Sequence, residues 1–227
     1  MEKNNFFKRE WLSLLILIIP FIIIAIYWNN FPAKVPTHWN ISNQVDSYSP
    51  KEVGLFLIPG MNVLLYFLFL AIPKLDPRRE NFKLFGTTFK ILRISISALM
   101  LLLFIVIVLI SLGMKLNVGQ IVIYGTILLF LIIGNFMGNI RRNYFAGIRT
   151  PWTLHSEEVW RLTHRISGKL WVASSILMLL LGLFIKLPVL GYIYFVYVAV
   201  ICIVPILYSY FIFKILEKEG KIEEDFK

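Results

Sequence analysis

Six long stretches of this chain contain no Asp, Glu, Lys or Arg: Trp11–Trp28, Gly54–Pro73, Ile94–Met114, Leu116–Ile140, Leu170–Ile185 and Leu187–Phe213. An apolar run of roughly 17–25 residues is what a helix needs to cross a bilayer's hydrocarbon core. Five of the six reach that length, and the fifth in order, slightly short, is extended by the stem of Lys169 or Lys186 reaching toward the interface. At that depth no water satisfies the backbone, so each stretch is expected to be a helix. The hydrophobic fraction of 58% and mean hydropathy of +0.75 exclude an ordinary soluble domain. The expectation is an all-α, polytopic membrane protein with six transmembrane helices.

Other absences narrow the function. The single cysteine, Cys202, lies inside the last span and excludes an intrachain disulfide and a cysteine-based zinc site. There is no H-E-x-x-H, as an intramembrane metalloprotease requires, and no G-x-S-x-G. The bare spans disfavour an ion-coupled transporter or pump, since ionisable residues at depth mark such pathways. No cofactor and no metal is expected. The apolar run Trp11–Trp28 is too long for a cleaved signal peptide and no small-x-small site follows it, so it is read as a retained span.

The charge that is present is unevenly distributed. Of 23 Lys and Arg, all but Lys34, Lys51, Lys115 and Lys186 fall on the two tails and on the second and fourth connections. This is a positive-inside bias, and it places both termini in the cytoplasm of a cell-membrane protein. The net charge of +10 is therefore read as cations at anionic lipid headgroups, not as a nucleic-acid surface.

Two connections are tight, turning at Lys115 and at Lys186-Leu187-Pro188, and two are long. The outer one, Asn29–Val53, has Pro32, Pro36 and Pro50 and no helical periodicity, so it is expected to be an ordered or semi-ordered loop. Trp39 and Tyr48 suit the headgroup layer. His38 and Asp46 supply two of the three or four ligands a metal needs; the alternative is that His38 bonds within the loop while Asp46 caps a turn.

The inner connection, Arg141–Lys169, carries a helix start: Ser156 as N-cap, with Glu157 and Glu158 in the first turn. Beyond it Glu157, Arg161, Arg165 and Lys169 form a polar ridge, with Glu157 placed to pair with Arg161. Val159, Leu162, Ile166 and Leu170 form an apolar stripe. The pattern predicts a short amphipathic helix over 156–167 in the cytoplasmic headgroup layer, bending into the fifth span. Trp160, His164, Ser167 and Trp171 make a third row that either packs on neighbouring helices or holds a ligand. Arg149, Thr150 and Thr153 are suited to a phosphate, and equally to the carbonyls at a helix end. Gly134 and Gly138 are spaced for close helix contact.

The inner run Asn143-Tyr144-Phe145, Gly147-Ile148-Arg149-Thr150-Pro151-Trp152-Thr153, Glu158, Trp160, Thr163-His164-Arg165 and Gly168 resembles the SdpI family of bacterial and archaeal membrane proteins. The outer run Val35-Pro36-Thr37-His38-Trp39-Asn40, Asp46 and Lys51 resembles a small domain found in many of them. The outer motif commonly has Gly and Pro where Asn43 and Val45 stand, and the inner one often has Pro where Arg142 stands; asparagine replaces glycine where φ is positive.

The resemblance implies two parts, 1–85 with the outer loop and 86–227 with the inner motif. It also implies immunity: protection from a secreted peptide toxin and an inward signal of its presence. On that reading His38, Trp39, Asn40, Asp46 and Lys51 bind outside. Asn143, Tyr144, Gly147, Arg149, Thr150, Pro151, Trp152, Thr153, Glu158, Trp160, Thr163 and His164 act inside. The partners would be membrane lipids, a peptide toxin and a cytoplasmic repressor, with no direct contact to nucleic acid. Two alternatives stay open at this point: an enzyme acting on a lipid headgroup, with His164 as acid/base, and a transporter of an amphipathic solute.

Overall fold

The helices form where the charge is missing and run past it at both ends. The computed structural model describes residues 3–40 and 42–222, with residues 3–6 by backbone alone. Lys227, one of the tail cations, lies outside these residues.

The order is α1 (Lys3–Tyr27), a 3-10 turn (Trp28–Asn30), β1 (Lys34–Trp39), β2 (Val45–Pro50), α2 (Lys51–Leu75), α3 (Asn81–Ser111) and α4 (Val118–Met137). Then follow α5 (Pro151–His155), α6 (Glu157–Phe184) and α7 (Val189–Lys218). Six of these, α1 to α4, α6 and α7, are long and apolar enough to cross a membrane. Their outer faces carry residues such as Leu183 and Phe184, 73% and 85% exposed. That much apolar surface is stable only where the surrounding solvent is itself apolar.

Two expectations are corrected. The outer connection is not a loop but an antiparallel hairpin, β1 against β2. Three prolines and two register shifts, either side of His38, break the alternation that would have revealed it. The segment 156–167 is not a separate helix: α6 runs unbroken from Glu157 to Phe184, and the short helix is α5, just before it. Ser156 caps α6, accepting from the Val159 amide at 3.4 Å, as the sequence indicates.

The chain forms two compact units, one of Met1–Phe69 with Arg93–Thr126, the other of Leu70–Leu92 with Ile127–Lys227. In the first, Ile24, Phe31, Val35, Leu55, Phe104, Ile107 and Val108 pack as a buried core that joins the hairpin to α1, α2 and α3. Gly54 permits this: a Cβ there would lie 2.3 Å from Val35 Cγ2. The same unit contains a buried Glu10–Arg93 pair. Arg93, counted with the headgroup cations from sequence, is thus inside the helices and paired with an acid the reading passed over.

In the second unit, Gly134 of α4 meets α6. A Cβ on it would lie 2.7 Å from Trp171 Cβ, and one on Gly168 would lie 2.7 Å from the Gly134 carbonyl oxygen. Gly138 has open space around it, so of the two glycines only Gly134 makes the close contact, with Gly168. Pro205 in α7 has no N–H for the Ile201 carbonyl, which accepts the Trp171 indole N–H instead, at 2.9 Å.

Candidate functional site

The connection 138–156 has little regular structure, so its backbone groups must find partners among side chains. Asn143, fully buried, does most of this. Its amide nitrogen donates to the Arg141 and Ala146 carbonyls, and its oxygen accepts from the Phe145 and Ala146 amides at 2.9 and 2.6 Å. Asp76, 2% exposed, accepts the Tyr144 amide at 2.8 Å and the Arg78 amide at 2.7 Å. The Arg78 guanidinium lies over the Tyr144 ring at 4.9 Å. Nothing in the sequence singled out Asp76; its signal is that it is one of two carboxylates, with Glu80, in a strongly basic connection.

His164 holds the other side of the loop. It is 1% exposed and stacks on Trp160 with 4.1 Å between ring centres. Its Nε2 accepts the Ile148 amide at 3.0 Å, and Nδ1, 2.8 Å from the Trp160 carbonyl, must then be the protonated nitrogen that donates to it. Both ring nitrogens are committed to backbone. Gly147, at φ +105°, brings the chain close enough for this: a Cβ there would lie 2.4 Å from Nε2. The Trp160 indole donates to the Ile140 carbonyl at 2.8 Å, closing the loop's entry.

The exit is a capping box. Thr150 precedes Pro151, the first residue of α5; its hydroxyl accepts the Thr153 amide, and the Thr153 hydroxyl accepts the Thr150 amide at 2.9 Å. Thr150 also bonds to Ser209 of α7 at 3.0 Å, and Trp152 packs edge-on against Tyr210. The two threonines therefore satisfy a helix end. Arg149, exposed, donates to the Tyr144 carbonyl at 2.6 Å.

The expected Glu157–Arg161 pair does not form. Arg161 binds Glu158 through two bonds, and Glu157 turns back to Arg142, with 3.1 Å between Nε and the carboxylate. The preceding connection supplies a cation that helical spacing alone does not reveal. Thr163, fully buried, has a hydroxyl without a protein partner. What this loop presents outward is Tyr144, Phe145 and Arg149, while Asn143, Thr150, Thr153, Trp160, Thr163 and His164 are inside.

The hairpin is built differently. Asn40 accepts the Ser42 and Gln44 amides, both at 3.0 Å, and Asn43 takes φ +62°, in keeping with a position where glycine is common. Asn43 is bound on both sides to the α3–α4 turn, donating to the Leu116 carbonyl and accepting the Gly119 amide. Trp39 packs on the unit's core, whereas Tyr48 is 59% exposed. Lys51 donates to the Trp28 carbonyl and lies over its ring at 4.3 Å, so its ammonium is engaged in anchoring the hairpin. The register shift on β2 brings Asp46 to His38 Nδ1 at 2.5 Å, and both side chains remain exposed. Among the described residues no group of three His, Cys, Asp or Glu lies together.

Comparison with known proteins points to the same two segments. Residues 139–209, from this loop through most of α7, match the SdpI/YfhL protein family. Residues 15–63, from α1 through the hairpin into α2, match a domain of unknown function, DUF1648. The chain is similar to the immunity protein SdpI of Bacillus subtilis (strain 168), at 28% identity over 177 residues, 78% of this chain and 83% of that protein. No solved structure matches.

Proposed function

We propose, for a chain that belongs to the SdpI family, that it is a non-enzymatic immunity protein of the cell membrane that resists a secreted peptide toxin and reports it to the cytoplasm. The relative named an immunity protein is similar over most of both chains, which supports the immunity role. The positive bias of the second and fourth connections supports cytoplasmic termini and an external hairpin.

One observation carries the choice of a binder over an enzyme. The loop 143–150 has its polar groups tied inward by Asn143, Asp76 and His164, and it offers Tyr144, Phe145 and Arg149 at the surface. Two aromatic rings beside a guanidinium are the composition of a protein-recognition hot spot. The occupant proposed is a cytoplasmic repressor. A headgroup hydrolase would need His164 as acid or base, and both its nitrogens already serve the backbone. On the other side, His38 and Asp46 are the exposed polar pair offered to the toxin.

The test is a toxin-sensitive host expressing the chain, read for survival and for a reporter of the inward signal. His38→Ala and Asp46→Ala should lower survival. Arg149→Ala and Tyr144→Ala should silence the reporter, with all four variants at parental abundance in the membrane. Parental reporter output from both loop variants would defeat the relay.

A further inference from the structure

The helices α1, α2 and α3 of the first unit enclose a polar seam that the loop and hairpin do not use. Glu10 on α1 and Arg93 on α3 are 8% and 5% exposed. Arg93 Nη2 donates to both Glu10 oxygens, at 2.6 and 2.5 Å, and the Tyr66 hydroxyl of α2 donates to the same carboxylate at 3.4 Å. The guanidinium sits 5.1 Å from the centre of the Tyr66 ring. Two charges taken out of water need more than each other to offset their desolvation.

One helical turn along lies a second polar layer. Ser13 follows Glu10, Ser97 follows Arg93, and Asn62 precedes Tyr66 on a helix that runs the opposite way, so the three steps lead in one direction. All three residues are buried, and Asn62 donates to the Ser97 carbonyl at 3.2 Å. Three buried atoms of the seam have no protein partner: Ser13 Oγ, Asn62 Oδ1 and Arg93 Nε. One is an acceptor, one a donor and one a hydroxyl that does both. A buried polar atom left alone is destabilising, and water, which donates and accepts at once, suits each of the three.

We infer that Ser13, Asn62 and Arg93 form an internal water-binding site, closed at its end by the Glu10–Arg93 pair, and that this hydrated seam latches α1 onto α2 and α3. The site takes water because its unpartnered groups are small and mixed in sense, an acceptor, a donor and a hydroxyl. It does not depend on the immunity reading.

The experiment uses the full chain in membranes with Cys202→Ser and one new cysteine at a time. A thiol ionises only where water reaches it. Ser13→Cys should react with a small charged methanethiosulfonate about tenfold faster than Ile16→Cys, a buried apolar control on the same helix. Adding Glu10→Met with Arg93→Met, or Asn62→Leu alone, should slow Ser13→Cys to the control rate. If Ser13→Cys is as inert as Ile16→Cys, the seam is dry and the inference fails. If both react equally fast, α1 is loosely seated and the latch fails. If neither the double change nor Asn62→Leu slows Ser13→Cys, the water is held by other groups and the assignment is overturned.

Discussion

The Nε2 atom of His164 accepts the backbone N–H of Ile148 at 3.0 Å, so a side chain of α6 replaces the hydrogen-bond partner that a strand or helix would give that amide. His164→Ala leaves the amide and the Trp160 carbonyl with one partner fewer each inside the protein. The expected cost is about 1–3 kcal/mol. Hydrogen exchange checks it: the Ile148 amide should exchange much faster while amides in the middle of α6 keep their protection. Unchanged exchange at Ile148 would mean the ring is not what holds the loop.

Gly147 and Gly113 both have positive φ, +105° and +96°, yet their surroundings differ. Around Gly113 a Cβ meets nothing within 4 Å, whereas at Gly147 it meets His164 Nε2 at 2.4 Å. Gly113→Ala should therefore cost only the left-handed backbone term, roughly 1–2 kcal/mol. Gly147→Ala adds overpacking of about 1–3 kcal/mol. Denaturant unfolding of the two variants in detergent micelles measures the difference, and equal losses would show that the His164 approach is not tight.

The spans were legible because a missing charge over a bilayer's width has one physical reading. The Ser156 cap and the positive φ of Asn43 were legible because each depends on its own residue type. The Glu10–Arg93 pair was not, because each residue sits at the edge of an apolar run and their meeting, 83 residues apart, is a property of helix packing. Gly134 was correctly marked for close contact, but its partner is on the facing helix, and one helix's spacing carries no record of that. The hairpin was hidden by its own irregularity: the extra residues beside His38 that bring Asp46 to it also destroy the alternation.

His38 and Asp46 are 68% and 42% exposed in their side chains, so their pair resembles other surface pairs, worth about 0–1 kcal/mol. His38→Ala and Asp46→Ala should leave thermal stability nearly unchanged. Val35→Ala, at a fully buried position in the hairpin core, should cost more, on the order of 1 kcal/mol or above. A thermal-shift series on the purified protein separates them. A large drop in His38→Ala would make the pair structural and remove it as a recognition element.

Gly134→Leu should separate α4 from α6 and prevent a folded unit, since even a methyl meets Trp171 Cβ at 2.7 Å. Gly138→Ala should be tolerated, with nothing within 4 Å of its added carbon. Size-exclusion behaviour in detergent reads both. Aggregation of Gly138→Ala with a normal profile for Gly134→Leu would reverse the assignment of the contact.

The distribution of cations predicts the orientation, because the membrane reads charge through short connections. The probe must be an exposed residue. Ser156 is unsuitable, being 6% exposed and committed to capping α6, whereas Ser42 at the hairpin tip and Lys221 beyond α7 are both exposed. With Cys202→Ser as background, Ser42→Cys in intact cells should react with a membrane-impermeant thiol reagent, and Lys221→Cys should react only after the cells are opened. The opposite pattern would place the hairpin in the cytoplasm. The proposed external role of the His38–Asp46 pair would then fail.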